Sequence, residues 1–391
     1  MRSAIESFSA AGLLVVSLAA IQVSYGDSHS TEAQRLGEKV RSAPINVIFD
    51  TDMWSDIDDA LALAMLHALH DRHEANLVAV TVSTDNKWSA PYVDLVDTFY
   101  GHAWIPVGAV RHGVDARAFA AKMPGVQVTN FTELLSNRRQ ADGSLVYPHR
   151  LLDGSKAPEA VRLLRRTLAA QPDGSVVVIQ VGFSTNLARL LESPADAASA
   201  LPGYQLIQKK VRLLSVMAGS FGETQFAGKA MPKGTPEFNL MMDVPSAQKV
   251  FSGWPTPIIV SGNEIGAQML FPATSVEHDF TYVAHHPIVE TYRSYSIEGT
   301  FTVGLEKHSF SVKWPHDHPT YDLTAVLYGV RPEGDYFALS APGKITVLPD
   351  GRSRFEESGQ GNQRYLILKD EQKARVLEAM VLLASQPPRG K

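Results

Sequence analysis

The segment VIFDTDMWSDIDDALALAML, residues 47–66, does most to limit how this 391-residue chain can fold. A β-branched apolar run stops at a loop bearing Asp50, Asp52, Asp56, Asp58 and Asp59, and a helical pattern starts immediately after it. Leu61, Ala62, Met65, Leu66 and Leu69 recur at three- and four-residue spacing, as a helix packed on a sheet requires. Strand, acidic loop and helix in that order open a βα unit, and in such sheets ligands gather outside the carboxyl ends of the strands. One or two of these acids serve as helix caps or first-turn residues that suit the helix dipole. Five in so short a stretch repel one another and call for a compensating cation, and hard oxygen donors select Ca²⁺ or Mg²⁺ over softer metals.

The same alternation continues along the chain. Strands are expected at Asn46–Phe49, Asn76–Thr84, Ser175–Val181, Val211–Met217 and Thr256–Ser261, with helices at Asp59–Leu69, Thr185–Leu191 and Val244–Phe251. The fold class is therefore α/β, a mostly parallel central sheet with helices on both faces. Residues 117–156 are turn-rich and read as a surface insertion able to cover a site. Gly343–Phe355, turning at Pro349-Asp350-Gly351, reads as a hairpin, and Asp370–Leu383 as a closing amphipathic helix. No linker interrupts residues 44–391, so they are expected to form one domain. A second lobe of crossover units, as in exported solute-binding proteins, is not visible.

Composition narrows the function. With no cysteine, thiolate metal sites and cysteine nucleophiles are excluded, and catalysis must use oxygen or nitrogen groups. A net charge of −5 without a basic stripe argues against nucleic-acid binding. At the start, Arg2, the apolar run Ala10–Val23 and the small residues Ser24 and Gly26 read as a signal peptide over residues 1–26. That run is shorter than the ~20 residues of a spanning helix. The expected product is exported, periplasmic or extracellular, begins near Asp27 and keeps no stable membrane insertion.

Three readings compete for the acidic loop. An EF-hand fails, because counting from Asp50 the fifth position is Trp54, the sixth Ser55 and the twelfth Leu61. A haloacid-dehalogenase-type Mg²⁺ phosphatase would share D-x-D, but Trp54 stands where Thr or Val is needed. The third rests on an ordered set: Asp50-Thr51-Asp52, then Asp58-Asp59-Ala60; Gly182 to Ala188 (GFSTNLA); Met217-Ala218-Gly219; Glu237-Phe238-Asn239; Asp243 to Ala247; and Tyr321-Asp322 before Ala325-Val326. In order and spacing these resemble the inosine–uridine-preferring nucleoside hydrolases, over most of residues 44–331, with an acidic loop two residues longer than that family's.

The resemblance implies that Asp52, Asp59, Asp322 and the backbone carbonyl of Thr185 bind Ca²⁺. It implies further that Asp58, Glu237 and Asn239 hold ribose hydroxyls, with Asn86 and Met217 as further substrate-binding candidates. The reaction would be hydrolysis of an N-ribosidic bond of a small nucleoside, of the kind used in purine and pyrimidine salvage. Its oxocarbenium-like transition state suits an acidic pocket, and Asp52 would deprotonate the attacking water. The family histidine before the last metal-binding Asp is replaced by Tyr321, so His316 and His318 are the expected sources of a leaving-group proton. Zinc on His316, His318 and His308 is a lesser alternative. Trp54 and Trp88 are candidates for stacking on a base or for simple packing. His67, His70 and His73 are expected on the surface, and self-association into a homo-oligomer is left open.

Overall fold

The computed structural model describes residues 43–226, 228–303 and 306–389; the proposed signal peptide lies outside them. The chain starts with β1 (Ile45–Thr51), α1 (Asp58–Asp71), β2 (Ala75–Thr84), α2 (Ser89–Phe99) and β3 (Val107–Val114). It continues through α3 (Ala116–Lys122), α4 (Phe131–Ser136), α5 (Ala160–Ala170), β4 (Val176–Gln180), α6 (Thr185–Glu192) and β5 (Val211–Met217). Then come a small hairpin, β6 (Thr224–Phe226) and β7 (Lys229–Met231), the helices α7 (Phe238–Met242) and α8 (Val244–Gly253), and β8 (Ile258–Ser261). A longer hairpin follows, β9 (Ser296–Val303) and β10 (Glu306–Lys313), then α9 (Tyr321–Val330). The chain closes with β11 (Gly343–Val347), β12 (Ser353–Glu357), β13 (Gln363–Ile367) and α10 (Asp370–Ala384).

The central sheet runs β12-β11-β13-β8-β5-β4-β1-β2-β3. From β13 through β3 neighbouring strands are parallel, while β11 and β12 add an antiparallel edge. Order reverses at β1: β2 and β3 build outward on one side, β4, β5 and β8 on the other. The loops after β1 and β4 therefore flank a topological switch point, where an open α/β sheet leaves a crevice for ligands. Pro44–Lys391 forms one compact unit. Among the described residues no helix is long and apolar enough to cross a membrane.

The expected elements occupy their places with small shifts at their ends. The sequence reading had no β3, α2, α5 or β13, and neither the β6–β7 nor the β9–β10 hairpin. Residues 117–156 are more ordered than a surface insertion: they contain α3 and α4, Phe131 is fully buried, and Asp94 of α2 accepts the backbone amides of Arg150 and Leu151 at 2.6 and 2.7 Å.

The histidines of α1 require a correction. Thirteen of that helix's fourteen residues are buried, because α9 and α10 pack on it as well as the sheet. His67 is fully buried, with Nε2 2.9 Å from Asp97 Oδ1 and Nδ1 2.8 Å from His102 Nδ1; His70 is half-buried, and His73, just beyond the helix, is exposed as expected. Burial holds the His67 imidazole down to about 3 and pushes the Asp97 carboxyl up. Removing the ring strands Asp97 in the core, so His67→Ala is expected to cost about 3 kcal/mol, against under ~0.5 kcal/mol for a surface histidine. The urea midpoint of the variant at neutral pH measures this directly.

Candidate active site

Strand β1 ends at Thr51, and the loop beyond it turns back so that Asp52, Asp58 and Asp59 are nearly inaccessible to solvent. Short polar contacts fix its path. The Thr51 hydroxyl donates to Asp59, Thr84 donates to the Asp52 carbonyl at 2.8 Å, and Thr81 and Asn186 donate to Asp50 at 2.5 and 2.8 Å. Gly182, just beyond β4, permits this close approach: a Cβ there would meet the Asp52 amide nitrogen at 2.3 Å and Ser83 Oγ at 2.6 Å. From the far end of the chain, α9 brings Asp322, whose backbone N–H donates to Asp58 at 3.0 Å.

Asp58, Asp59 and Asp322 each direct an oxygen into one small volume, all within 4.8 Å of one another. Asp52 stands beside this trio without belonging to it, close enough to raise the pKa values of Asp59 and Asp322. Burial first, and then mutual repulsion, holds Asp52, Asp58, Asp59 and Asp322 well above the usual carboxylate range. Buried carboxylates of this density need either protons or a cation, and an all-oxygen donor set fits a hard divalent ion. The oxygen cage thus forms around Asp58, which the sequence reading had assigned to ribose. Thr185, expected to offer its carbonyl, begins α6 with its hydroxyl 2.5 Å from Asp243, and it is not among the cavity-lining residues.

The carboxylates form one end of a cavity of about 350 Å³, within the range of small-molecule sites. Glu237, Asn239, Met217, Val181 and Tyr321 line it beside them. Burial raises Glu237 to about 7, although the amides of Asn239, Gly219 and Leu240 donate to it at 2.8, 3.0 and 3.1 Å. Asn239 donates its amide to the Val181 and Met217 carbonyls at 2.9 and 3.2 Å. Tyr321 is pushed up by burial and by Asp56 and Asp58, and remains protonated. Asn86 turns away from the cavity, accepting from the Trp88 amide at 2.9 Å.

The two histidines assigned to proton donation stand behind the cavity wall. His318 Nε2 is 2.5 Å from Asp56 Oδ1, and its Nδ1 lies 3.0 Å from His316 Nε2. Of this chain only Asp56 lines the cavity. Burial puts Asp56 under pressure to rise, but His318 outweighs it and holds the carboxylate below its ordinary value. Burial and His318 lower His316 to about 4. His308 pairs with Glu306 on the β9–β10 hairpin and joins neither metal-capable group among the described residues, the Asp58, Asp59 and Asp322 trio or the group of Asp56, Asp58 and His318. Trp54 packs edge-on against Phe119, and Trp88 lies under Lys87; neither lines the cavity.

The opposite end of the cavity escaped the sequence reading. Phe119 and Met123 come from α3 and the turn after it, Phe226 and Met231 from β6–β7, Phe238 from α7, and Ile297 and Phe301 from β9.

A family model described as inosine-uridine preferring nucleoside hydrolase matches residues 47–381. The chain belongs to this family. Membership makes it an N-ribosyl hydrolase, with nucleosides as the substrate class, and leaves the phosphatase and solute-binding readings unsupported. The inosine-uridine preferring nucleoside hydrolase from Bacillus anthracis shares its fold at TM-score 0.57 and 16% identity, over 87% of this chain and 99% of that one. The purine-preferring ribonucleoside hydrolase from Gardnerella vaginalis does so at TM-score 0.58 and 16% identity, over 87% and 98%. A plant nucleoside hydrolase gives TM-score 0.55 and 18% identity, over 88% and 100%. No curated protein sequence matches the chain.

The cage has a pH signature. In cation-free protein the folded carboxyls hold protons that unfolded ones, near 3.8, have released. The folded state therefore binds more protons, and stability falls as pH rises from about 4 towards 7. Chelated protein is expected to melt progressively lower across that range, and added divalent cation to restore melting temperature most at neutral pH. Melting curves with and without chelator at pH 5 and pH 7.5 test this.

Proposed function

We propose that this nucleoside hydrolase is Ca²⁺-dependent and releases free base and ribose from ribonucleosides through an oxocarbenium-like transition state. The observation that carries the reading is the buried cage of Asp58, Asp59 and Asp322 at the floor of a cavity walled by Glu237 and Asn239. Bound there, the ion would supply Lewis acidity towards water and towards the vicinal hydroxyls of a ribose. Asp52, beside the cage and pushed upward by burial, takes the proton of the attacking water. Glu237 and Asn239, fixed by the backbone contacts of α7, orient the sugar. The surrounding carboxylates stabilise positive charge developing on the ring. Tyr321 packs against the substrate and directs its hydroxyl.

Three carboxylates, with no nitrogen or sulfur ligand in the trio, support a hard divalent ion such as Ca²⁺ as the resident metal. Residues 1–26 direct export, and the working enzyme acts outside the cytoplasm.

Release of ribose from a panel of nucleosides, scored as reducing sugar, tests the activity. Asp52→Asn is expected to lower kcat ~10²-fold or more while leaving the fold intact, the usual scale for losing a general base. Asp322→Ala should abolish turnover and remove the calcium dependence of melting. If chelated enzyme turns over at the full rate, the metal assignment is wrong. Intact-mass measurement of natively expressed protein is expected to find a terminus near Asp27; an intact Met1 in the cytosol contradicts export.

A further inference from the structure

Behind the wall that holds Glu237 lies a second buried glutamate that faces no substrate. Glu264 sits in the short helix Asn263–Gln268, directly after β8; it is buried and does not line the cavity, although its neighbour Asn263 does. Its carboxylate is committed to the backbone of the loop that follows β5. The Phe221 N–H donates to Oε2 at 3.0 Å, and the Gly222 N–H donates to the same carboxylate. Two glycines leave room for it: a Cβ at Gly262 would meet both carboxylate oxygens at 2.5 Å, and one at Gly222 would meet Glu264 Cγ at 3.0 Å. Burying a carboxylate to hold two amides costs more than filling the space with an apolar side chain, so stability alone does not call for a glutamate here.

The loop held in this way carries part of the cavity wall. Met217 and Ser220 line the cavity, and between them the Gly219 N–H donates to Glu237 Oε2 at 3.0 Å. Glu237 is thus tied on one side to α7, through the Asn239 and Leu240 amides, and on the other to this loop. The loop is clamped in turn by the short helix, whose Asn263 N–H donates to the Gly219 carbonyl at 2.8 Å, while Ser353 accepts the Ser220 amide at 3.0 Å from the β12 side. The far end of the helix is anchored at the start of α9: the Gly266 carbonyl accepts the Thr320 N–H at 3.3 Å, and the Met269 carbonyl accepts the Thr320 hydroxyl at 2.7 Å. A continuous support therefore runs from α9 through the short helix and Glu264 to Gly219 and Glu237.

We propose that Glu264 is a positioning residue for the hydrolysis: by fixing residues 219–222 it sets the Gly219 amide, and through that amide the Glu237 carboxylate, against the sugar. The inference rests on the hydrolase reading above, in which Glu237 orients the ribose. Glutamine has the same shape but only one accepting oxygen, and it puts an NH2 group where the second carboxylate oxygen was. It leaves the helix, Tyr321 and the acidic cage in place while loosening the hold on the loop.

The test is a double-mutant cycle on the Ca²⁺-loaded enzyme, run with those of inosine, adenosine, uridine and cytidine that the wild type hydrolyses. Glu264→Gln is expected to lower kcat ~10-fold or more with KM within ~3-fold of wild type, the kind of loss that a small displacement of an orienting group produces. Acting through Glu237, it should cost under ~3-fold in a Glu237→Gln background, whereas a merely structural residue gives the product of the two single losses. The rise in melting temperature on adding Ca²⁺ should match that of the wild type. Where Glu264→Gln fails to fold, Gly222→Ala, whose Cβ presses on Glu264 Cγ, replaces it in the cycle, with a smaller loss of kcat and the same dependence on Glu237 expected. An unchanged kcat, losses that multiply, or a lost calcium response overturns the inference and leaves the hydrolase reading standing. A Glu237→Gln enzyme with wild-type kcat and KM overturns the inference together with the sugar-orienting role of Glu237. Wild-type enzyme that releases ribose from none of the four nucleosides overturns the hydrolase reading as well.

Discussion

Mutual repulsion among carboxylates packed at the end of one strand is the constraint around which this structure is organised. Asp52, Asp58, Asp59 and Asp322 are all buried, and each is pushed upward first by burial and then by its neighbours. No protein would hold them together for stability, since uncompensated buried charge costs several kcal/mol per group. The fold opposes the repulsion with short polar tethers, Thr51 on Asp59 and the Asp322 amide on Asp58. It leaves the remainder to be met by a cation or by protons. A site whose stability depends on its ligand in this way is a functional site before any comparison is made.

Those tethers explain features far from the loop. Gly266 is one: a Cβ there would sit 2.3 Å from the Tyr321 Cα, so only glycine lets the start of α9 come down onto the site. Gly182 does the same on the β4 side. Two close backbone approaches, one from each flank of the switch point, thus set the spacing of the acids. The sheet order makes this possible, because β1 is the strand at which the winding changes direction and both neighbouring loops open into the same crevice.

How much of this was legible in the sequence depends on how local each signal was. The acidic loop, β5 at Val211–Met217 and the helices at Thr185 and Val244 are fixed by short-range patterning, and they stand where that patterning put them. Strand β3 was missed because VGAVRHGV mixes Arg111 and His112 into an edge strand whose burial breaks over residues 111–113. His67 was misplaced because its face of α1 is covered by α9 and α10, helices some 250 residues and more further along the chain. The aromatic end of the cavity was invisible for the same reason. Phe119, Phe226 and Phe301 share no segment, and only long-range packing brings them to one wall.

The acidic loop also shows how one local contact sets which groups face the cavity. It brings Asp56 to the cavity edge, where His318 comes within 2.5 Å of it and His316 lies behind His318. His318, expected to face the substrate, is instead committed to a carboxylate and to a second ring, and its side of the cavity is left to Asp56 and Tyr321. With both imidazoles withdrawn from the wall, the proton-bearing groups left on it are the buried carboxyls and the Tyr321 phenol. The hairpins that supply the aromatic end of the cavity lie outside the central sheet, so that end is built independently of the strand order that sets the acids.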